Sequence, residues 1–451
     1  MMNIEGKKVL VLGLAKSGLA AVLLLHKHGA VITLNESKPL EKLDHREELE
    51  KMNVRLICGG QPAALFEEDF DFVIKNPGIK YTEWFILRLQ ERNIPIYTEI
   101  ELAYQLAPNH HYLAVTGTNG KTTTVTLIGE ILKKAVGNKA HIAGNIGTPL
   151  CEIVFNEGLE NQAGHDIVLE MSNFQLLNIE KFRPEAATII NLTPDHLDYM
   201  RTLDEYYASK TNIYMNQKEN DIFVYNLDDE NLSYYVNKYP PHGKMTTMSM
   251  ISESSDYHLQ NGMIMKGQET IMPVSDIQIV GKQNVQNVMI AIAMCEAAGI
   301  ERSIITEVIR GFAGVEHRVE FVRELNGVKY YNDSKGTNTD ATIVAVDSFS
   351  CPIILLVGGK EKGLPMDELK KHLANVKLII GYGACGKRLV DDLVGDQGIV
   401  VQTMNEALAI AQKTAQHGDV VLLSPTTSSY DQFSGFEERG RYFKKLVNEL
   451  K

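Results

Sequence analysis

Gly117-Thr118-Asn119-Gly120-Lys121-Thr122-Thr123 is the stretch on which the fold reading turns. It follows a short apolar run at 111–115 and leads into a stretch with helical spacing, 123–134. Strand, glycine-rich loop, Gly-Lys-Thr and helix, in that order, form the context of a phosphate loop. Glycines let backbone N–H groups converge on phosphate oxygens, and the N-terminus of the following helix adds a favourable partial charge. Lys121 is placed to reach the β- and γ-phosphates, and the Thr122 hydroxyl to ligate Mg²⁺. The loop is a variant. The position of the usual first glycine is held by Val115, and Gly117 comes two residues later.

Outward from the loop, further strand-like runs lie at 167–170, 187–192 and 222–226. A polar segment at 245–278 reads as a small β elaboration with Asn261-Gly262 as its hairpin turn, and a helix follows over 281–298. Upstream, residues 7–36 read as strand, glycine turn, helix and strand, with short runs after them at 54–57, 72–74 and 94–97. Downstream of Gly314, runs at 328–332, 353–357, 378–381, 399–402 and 420–423 alternate with helical stretches, the last being 436–450. Strands alternating with helices imply parallel sheets, so the expected fold class is α/β. Three domains are expected in 451 residues: a Rossmann-like domain at 1–99, a central P-loop ATPase-like domain with a mostly parallel sheet at 100–314, and a Rossmann-like domain at 315–451. Ligands of such sheets sit at the carboxyl ends of the strands.

The 57 acidic residues outnumber the 45 basic ones, for a formal net charge of −12. Such a surface repels nucleic acid and anionic lipid at long range, so neither is an expected partner, and phosphates must be held in local pockets. The five cysteines, Cys58, Cys151, Cys295, Cys351 and Cys385, are odd in number and contain no Cys-x-x-Cys pair. That argues against a disulfide framework or a zinc ribbon and for a reducing cytoplasm. No run is long and apolar enough for a membrane span, and the N-terminal apolar run has no small-residue cleavage pattern after it.

Other polar groups collect where strands end. Gly13-Leu14-Ala15-Lys16-Ser17-Gly18 approximates a dinucleotide fingerprint, with Ala15 in place of the glycine that lets backbone approach a pyrophosphate. With Glu36 at a later strand end, a nucleotide site other than a nicotinamide one is expected, Lys16 and Ser17 contacting a diphosphate. Glu170 closes an apolar strand and is a candidate Mg²⁺ ligand, and Asp195-His196-Leu197-Asp198 follows another strand. Lys210, in the helical stretch 206–214, reads locally as a solvated helix lysine. Glu316-His317-Arg318 opens the third domain, where Arg318 can bring a rigid fork to a phosphate. Asn332-Asp333-Ser334-Lys335-Gly336-Thr337-Asn338 and the hydroxyl-rich stretch 424–433 both suit capture of a phosphate or carboxylate.

In order and spacing along nearly the whole chain, these motifs resemble those of the Mur ligases. Ala143-Gly144-Asn145-Ile146-Gly147, the stretch 169–176 around Glu170, Glu316-His317-Arg318 and Asn332-Asp333-Ser334-Lys335 all have counterparts there. The stretch from Ser424 to Phe433, with Phe436 and Arg439-Gly440 after it, is similar to that of the D-glutamate-adding member. The resemblance implies an ATP-dependent ligase that joins UDP-N-acetylmuramoyl-L-alanine to D-glutamate through an acyl phosphate. It further implies two Mg²⁺ ions, small-molecule substrates and a cytoplasmic monomer.

It also implies residue roles. Gly117, Thr118, Asn119, Gly120, Lys121, Thr122 and Thr123 would bind ATP, with Asn287, Arg318 and Asp333. Thr122, Glu170, His196 and Lys210 would hold metal, Lys210 as a carbamate, which reverses its local reading. Lys16, Ser17, Asn35, Glu36, Asn145 and His196 would face the nucleotide-sugar substrate. Lys335, Thr337, Lys362, Ser429 and Phe436 would surround D-glutamate. Lys121, Glu170, His196, Lys210 and His317 would be catalytic, His317 by orienting the amine or accepting its proton. Asn35 and Glu36 depart from the family's frequent acid and threonine, and Lys360 stands where some members carry an acid. The alternatives are a sibling Mur-type or folylpolyglutamate-type ligase and a non-ligase P-loop ATPase.

Overall fold

Alternation of apolar runs with turn residues builds three sheets in the structure, a computed structural model that describes residues 2–193 and 202–451. In the first sheet Lys8–Leu12 is central, with Val31–Glu36 on one side and Phe72–Lys75 on the other. Arg55–Cys58 and Ile96–Tyr97 form the edges, and all five strands are parallel. Val9 through Leu12 are buried without alternation, as a sheet covered by helices on both faces requires.

The second sheet is centred on His111–Thr116, which pairs in parallel with Asp166–Glu170 and Ala186–Ile189. Ala140–Gly144 lies outside Asp166–Glu170, while Ile222–Asn226 and Lys244–Ser249 extend the other side. The polar segment then joins this sheet. Tyr257–Gln260 pairs in parallel with Lys244–Ser249, and Met263–Lys266 and Glu269–Pro273 follow as antiparallel strands. Asn261 and Gly262 make the two-residue turn with φ of 51° and 76°, as a type I′ hairpin requires. The third sheet runs Val328–Asn332, Val420–Leu423, Ile353–Gly358, Val376–Tyr382 and Ile399–Val400 in parallel, with Glu320–Leu325 antiparallel at one edge.

The chain forms two compact units, Met1–Val274 with Gln286–Ile309, and Ser275–Val285 with Arg310–Lys451. In the first unit one buried cluster gathers Val9, Leu24 and Ile100 with Cys151, Ile167 and Tyr206. Residue 99, where a domain boundary is expected, begins the helix Glu99–Leu106, and Ile100, Leu102 and Ala103 belong to that cluster. In the second unit Val357 and Leu356 serve different clusters on opposite faces of the six-stranded sheet. No helix among the described residues is long and apolar enough to cross a membrane.

Candidate active site

The helix Lys121–Val136 starts directly from the loop, with Gly120 as its N-cap in the left-handed region at φ 86°. A Cβ at Gly120 would stand 2.4 Å from Asn287 Oδ1, so glycine is what lets Asn287 lie against the loop. The Asn191 side chain braces the same loop, its Oδ1 accepting from the backbone N–H groups of Thr118 (3.1 Å) and Asn119 (2.9 Å). Lys121 Nζ folds back over it, donating to the carbonyls of Gly117 (2.8 Å) and Thr118 (2.7 Å).

Parallel pairing sets Val115, Glu170 and Gly144 side by side at three strand ends. Glu170, 2% exposed, accepts from Thr122 Oγ1 (2.9 Å) on one carboxylate oxygen and from Asn145 Nδ2 (2.8 Å) on the other. Lys210 is buried on the helix Leu203–Thr211, with Nζ donating to Gly117 O (3.1 Å) and 4.6 Å from the centre of the Tyr206 ring. It is therefore no solvated helix lysine. Lys121, Thr122, Asn145, Glu170, Lys210 and Asn287 thus meet around one loop, whereas His196, with Asp195 and Asp198, lies outside the described residues. Carboxylate, hydroxyl and amide oxygens are the hard donors Mg²⁺ takes, and loop N–H groups at a helix N-terminus suit phosphates, so the donor set fits a nucleotide with its divalent cation.

In the first sheet's glycine turn, Glu36 accepts from the backbone N–H groups of Leu14 (2.8 Å) and Lys38 (3.1 Å). Burial pushes Glu36 up, but these donors outweigh it and hold the carboxyl below its usual value. Lys16 is exposed, and Ser17 Oγ accepts from Asn76 Nδ2 (3.2 Å). Asn35 is not brought to the turn by its side chain, which is buried and donates to Ile57 O (3.0 Å) and Gly60 O (2.8 Å). Asn76 is a neighbour of this turn that the sequence reading missed. The Asn76-Pro77-Gly78 punctuation after an apolar run was the available signal.

In the second unit Glu316, His317 and Glu320 place ligand-type atoms within 4.8 Å of one another, and the Lys444 ammonium bridges the two carboxylates. His317 is buried, in the left-handed region at φ 65°. The Ser334 N–H donates to Asn332 Oδ1 (3.1 Å), which fixes the orientation of that amide. Asn332 Nδ2 then donates to His317 Nδ1 (2.9 Å) and to Glu320 Oε2 (3.0 Å). With Nδ1 accepting, the imidazole proton sits on Nε2, which has no hydrogen-bond partner among the described residues. Burial lowers the His317 pKa, so the ring is a neutral donor.

Asp333 accepts from Ser424 Oγ (2.7 Å) and the Val319 N–H (3.2 Å), yet burial raises it to about 7. Lys335 Nζ lies 5.8 Å from the Phe436 ring centre, Lys362 Nζ donates to Thr337 O (2.9 Å), and Ser429 is buried. Arg318 contributes charge near Asp333.

Comparison with known proteins accords with this geometry. The Mur ligase middle domain family matches residues 115–295, and the family described as Mur ligase, glutamate ligase domain matches residues 317–427. The UDP-N-acetylmuramoylalanine--D-glutamate ligase of Geobacillus sp. (strain WCH70) is 38% identical over 451 residues, covering 99% of this chain and 98% of its own. The enzyme of the same name from Exiguobacterium sibiricum is 40% identical over 452 residues, with the same coverage. Among solved structures, the MurF ligase of Thermotoga maritima in complex with ADP shares the fold, with a TM-score of 0.57 at 17% identity over 99% of this chain and 96% of that one. Identity of this extent along the whole chain establishes that it belongs to the Mur ligase family.

Proposed function

We propose that this chain forms the amide bond between UDP-N-acetylmuramoyl-L-alanine and D-glutamate at the expense of ATP, the activity named for its relatives. The observation that carries the reading is the junction of Lys121, Thr122, Asn145 and Glu170 at three strand ends. In this reading residues 1–99 take the uridine diphosphate, 100–314 the ATP and 315–451 the amino acid. A cytoplasmic monomer acting on small molecules, with neither nucleic acid nor membrane as partner, is part of the same proposal.

The chemistry needs a better electrophile than a carboxylate. The L-alanyl carboxylate attacks the γ-phosphorus, ADP leaves and an acyl phosphate results. The D-glutamate amine then adds to the acyl carbon, phosphate leaves and the amine gives up a proton. Lys121 unfolds from its two carbonyls onto the β- and γ-phosphate oxygens, where its charge offsets that of the transferring group. The loop N–H groups hold the phosphates, Asn287 and Arg318 contact the nucleotide, and Asp333 lies near its ribose.

Thr122 and Glu170 would hold one Mg²⁺, and Glu170, His196 and the carbamate of Lys210 a second; bound there, the ions supply charge neutralisation. Lys16, Ser17 and the turn braced by Glu36 take the diphosphate, while Asn145 and His196 face the muramoyl end. Lys335, Thr337, Lys362, Ser429 and Phe436 surround D-glutamate. With its proton on Nε2, His317 orients a reactant by donating to it.

The test is phosphate release from Mg-ATP with UDP-N-acetylmuramoyl-L-alanine and, in parallel, D-glutamate, L-glutamate, L-lysine or no amine. Release that needs both the nucleotide sugar and D-glutamate is the expected result. Release with another amine moves the chain to a sibling activity, and release without any amine makes it a plain ATPase.

A further inference from the structure

The strand Phe72–Lys75 of the first sheet ends on a lysine that is 1% exposed. Lys75 Nζ donates to Asn76 O (3.0 Å) and Ile79 O (2.7 Å) and lies 4.3 Å from the centre of the Tyr81 ring. An ammonium has three N–H groups, and two carbonyls with a π face are matched acceptors for them. None of the three is charged, and no carboxylate pairs with Lys75 among the described residues. Burial pulls its pKa down to about 7. A cation held in this way costs free energy, so something other than an ion pair keeps it at this strand end.

What Lys75 holds is a loop. Asn76 O also accepts from the Ile79 N–H (3.1 Å), which closes a four-residue turn over 76–79. Within it Asn76 Oδ1 accepts from the Gly78 N–H (3.0 Å), which fixes the orientation of that amide. Asn76 Nδ2 is thereby aimed at Ser17 Oγ (3.2 Å), in the first turn of the helix Lys16–Lys27. With Ser17 Oγ accepting from that amide, its own proton is turned away from Asn76 and is left to donate. The loop also walls the glycine turn. Gly13 has a φ of 85°, and a Cβ there would stand 3.2 Å from Asn76 Cβ and 3.7 Å from Ile79 Cδ1. Leu12 and Lys75 are register partners on adjacent parallel strands, so the glycine turn and the loop leave the sheet side by side.

We propose that Lys75 is a positioning residue for the diphosphate of the nucleotide-sugar substrate: its ammonium sets the loop 76–81, the loop sets Asn76, and Asn76 turns the Ser17 hydroxyl onto a phosphate oxygen. The inference deepens the reading of residues 1–99 as the part that takes the uridine diphosphate, and rests on it. Lys75 touches no substrate atom; it acts through the loop, and its charge lies at the carboxyl end of a strand, where such sheets take their ligands. Methionine at 75 fills a similar volume but donates to neither carbonyl, so the loop loses the contact that sets it.

Lys75→Met, Ser17→Ala and the double variant would be compared with wild type by thermal melting and by phosphate release, varying the nucleotide sugar, ATP and the amino acid separately. The expected result for folded Lys75→Met is a nucleotide-sugar KM raised about tenfold or more, with the KM values for ATP and the amino acid changed by less than about threefold. Because Lys75 acts through Ser17, the rise in the double variant should fall well short of the product of the two single rises. An unchanged nucleotide-sugar KM in folded Lys75→Met overturns the proposal. So does an equal rise in all three KM values, the mark of a residue that only supports the fold, and so does a double variant that reaches the full product. Should Lys75→Met not fold, Asn76→Ala, at a half-buried loop position, goes through the same cycle with Ser17→Ala, and the same outcomes decide. Wild-type phosphate release that does not depend on the nucleotide sugar overturns both this proposal and the reading beneath it. Wild-type dependence on the nucleotide sugar with an unmoved KM in the variants overturns this proposal alone.

Discussion

Lys210 and Glu170 show how much a single side chain's role depends on what lies across the sheet. Lys210 Nζ reaches Gly117 O at 3.1 Å across 93 residues of sequence, and Glu170 is tied to Thr122 from 48 residues away. Local sequence reads Lys210 as a solvated helix lysine because the helix Leu203–Thr211 carries acids and tyrosines on several faces; burial of this one position comes from the loop it packs under. As the carbamate proposed above, Lys210 would supply an anionic oxygen where a methyl group supplies nothing. Lys210→Ala should therefore lose D-glutamate-dependent phosphate release by more than about a hundredfold, and millimolar bicarbonate should not restore it. Near-normal turnover in that variant would sink the carbamate role. Lys121 and Thr122 were legible from the chain because a phosphate loop is contiguous. Asn35, expected to face the nucleotide sugar, turns its side-chain amide inward to two carbonyls that the chain order does not reveal.

At the scale of elements, strands such as Val328–Asn332 and Val420–Leu423 keep the bounds that their apolar runs predict, since both are interior strands. Ile96–Tyr97 and Ile399–Val400 are shorter than their runs because each is an edge strand, where apolarity outlasts the ladder. Glu320–Leu325 escaped notice because its acids and Arg323 break the apolar pattern, as an edge strand tolerates. Helix ends follow local chemistry more closely. Met404–Thr414 begins with a reciprocal capping box, in which Thr403 Oγ1 accepts from the Glu406 N–H (3.3 Å) and Glu406 Oε2 from the Thr403 N–H (3.0 Å). Thr403→Ala should cost about 1 kcal/mol, read as a lowered denaturant midpoint with the amino-acid KM unchanged. A midpoint equal to wild type would show that the box contributes nothing to this helix.

Over the whole molecule, stability depends on carboxyl groups that folding has buried. Burial raises Glu99 to about 7, although the Cys151 N–H donates to it at 2.9 Å. The unfolded chain releases this proton near the ordinary value of 4.5, so between there and about 7 the folded state binds more protons. Stability from this group is therefore greatest at the acid end, falls as pH rises through that window and is level above it. Glu99→Gln keeps an acceptor for the Cys151 N–H without a charge to bury. It should flatten the pH dependence of melting between about pH 5 and pH 8 and stabilise the protein at the upper end by about 2 kcal/mol. A slope identical to wild type would refute this, and Asp333, also raised to about 7 by burial, should leave a residual slope of the same sign. What the sequence alone determined is the α/β class, the succession of strands and helices, the phosphate loop and the resemblance to the Mur ligases, because each is written in contiguous runs and their spacing. Only the tertiary structure decided that Lys210 is buried, that Asn35 turns its amide inward and that Asn332 donates to His317 Nδ1. Each depends on partners brought together by sheet order, and sheet order is not a property of any local stretch.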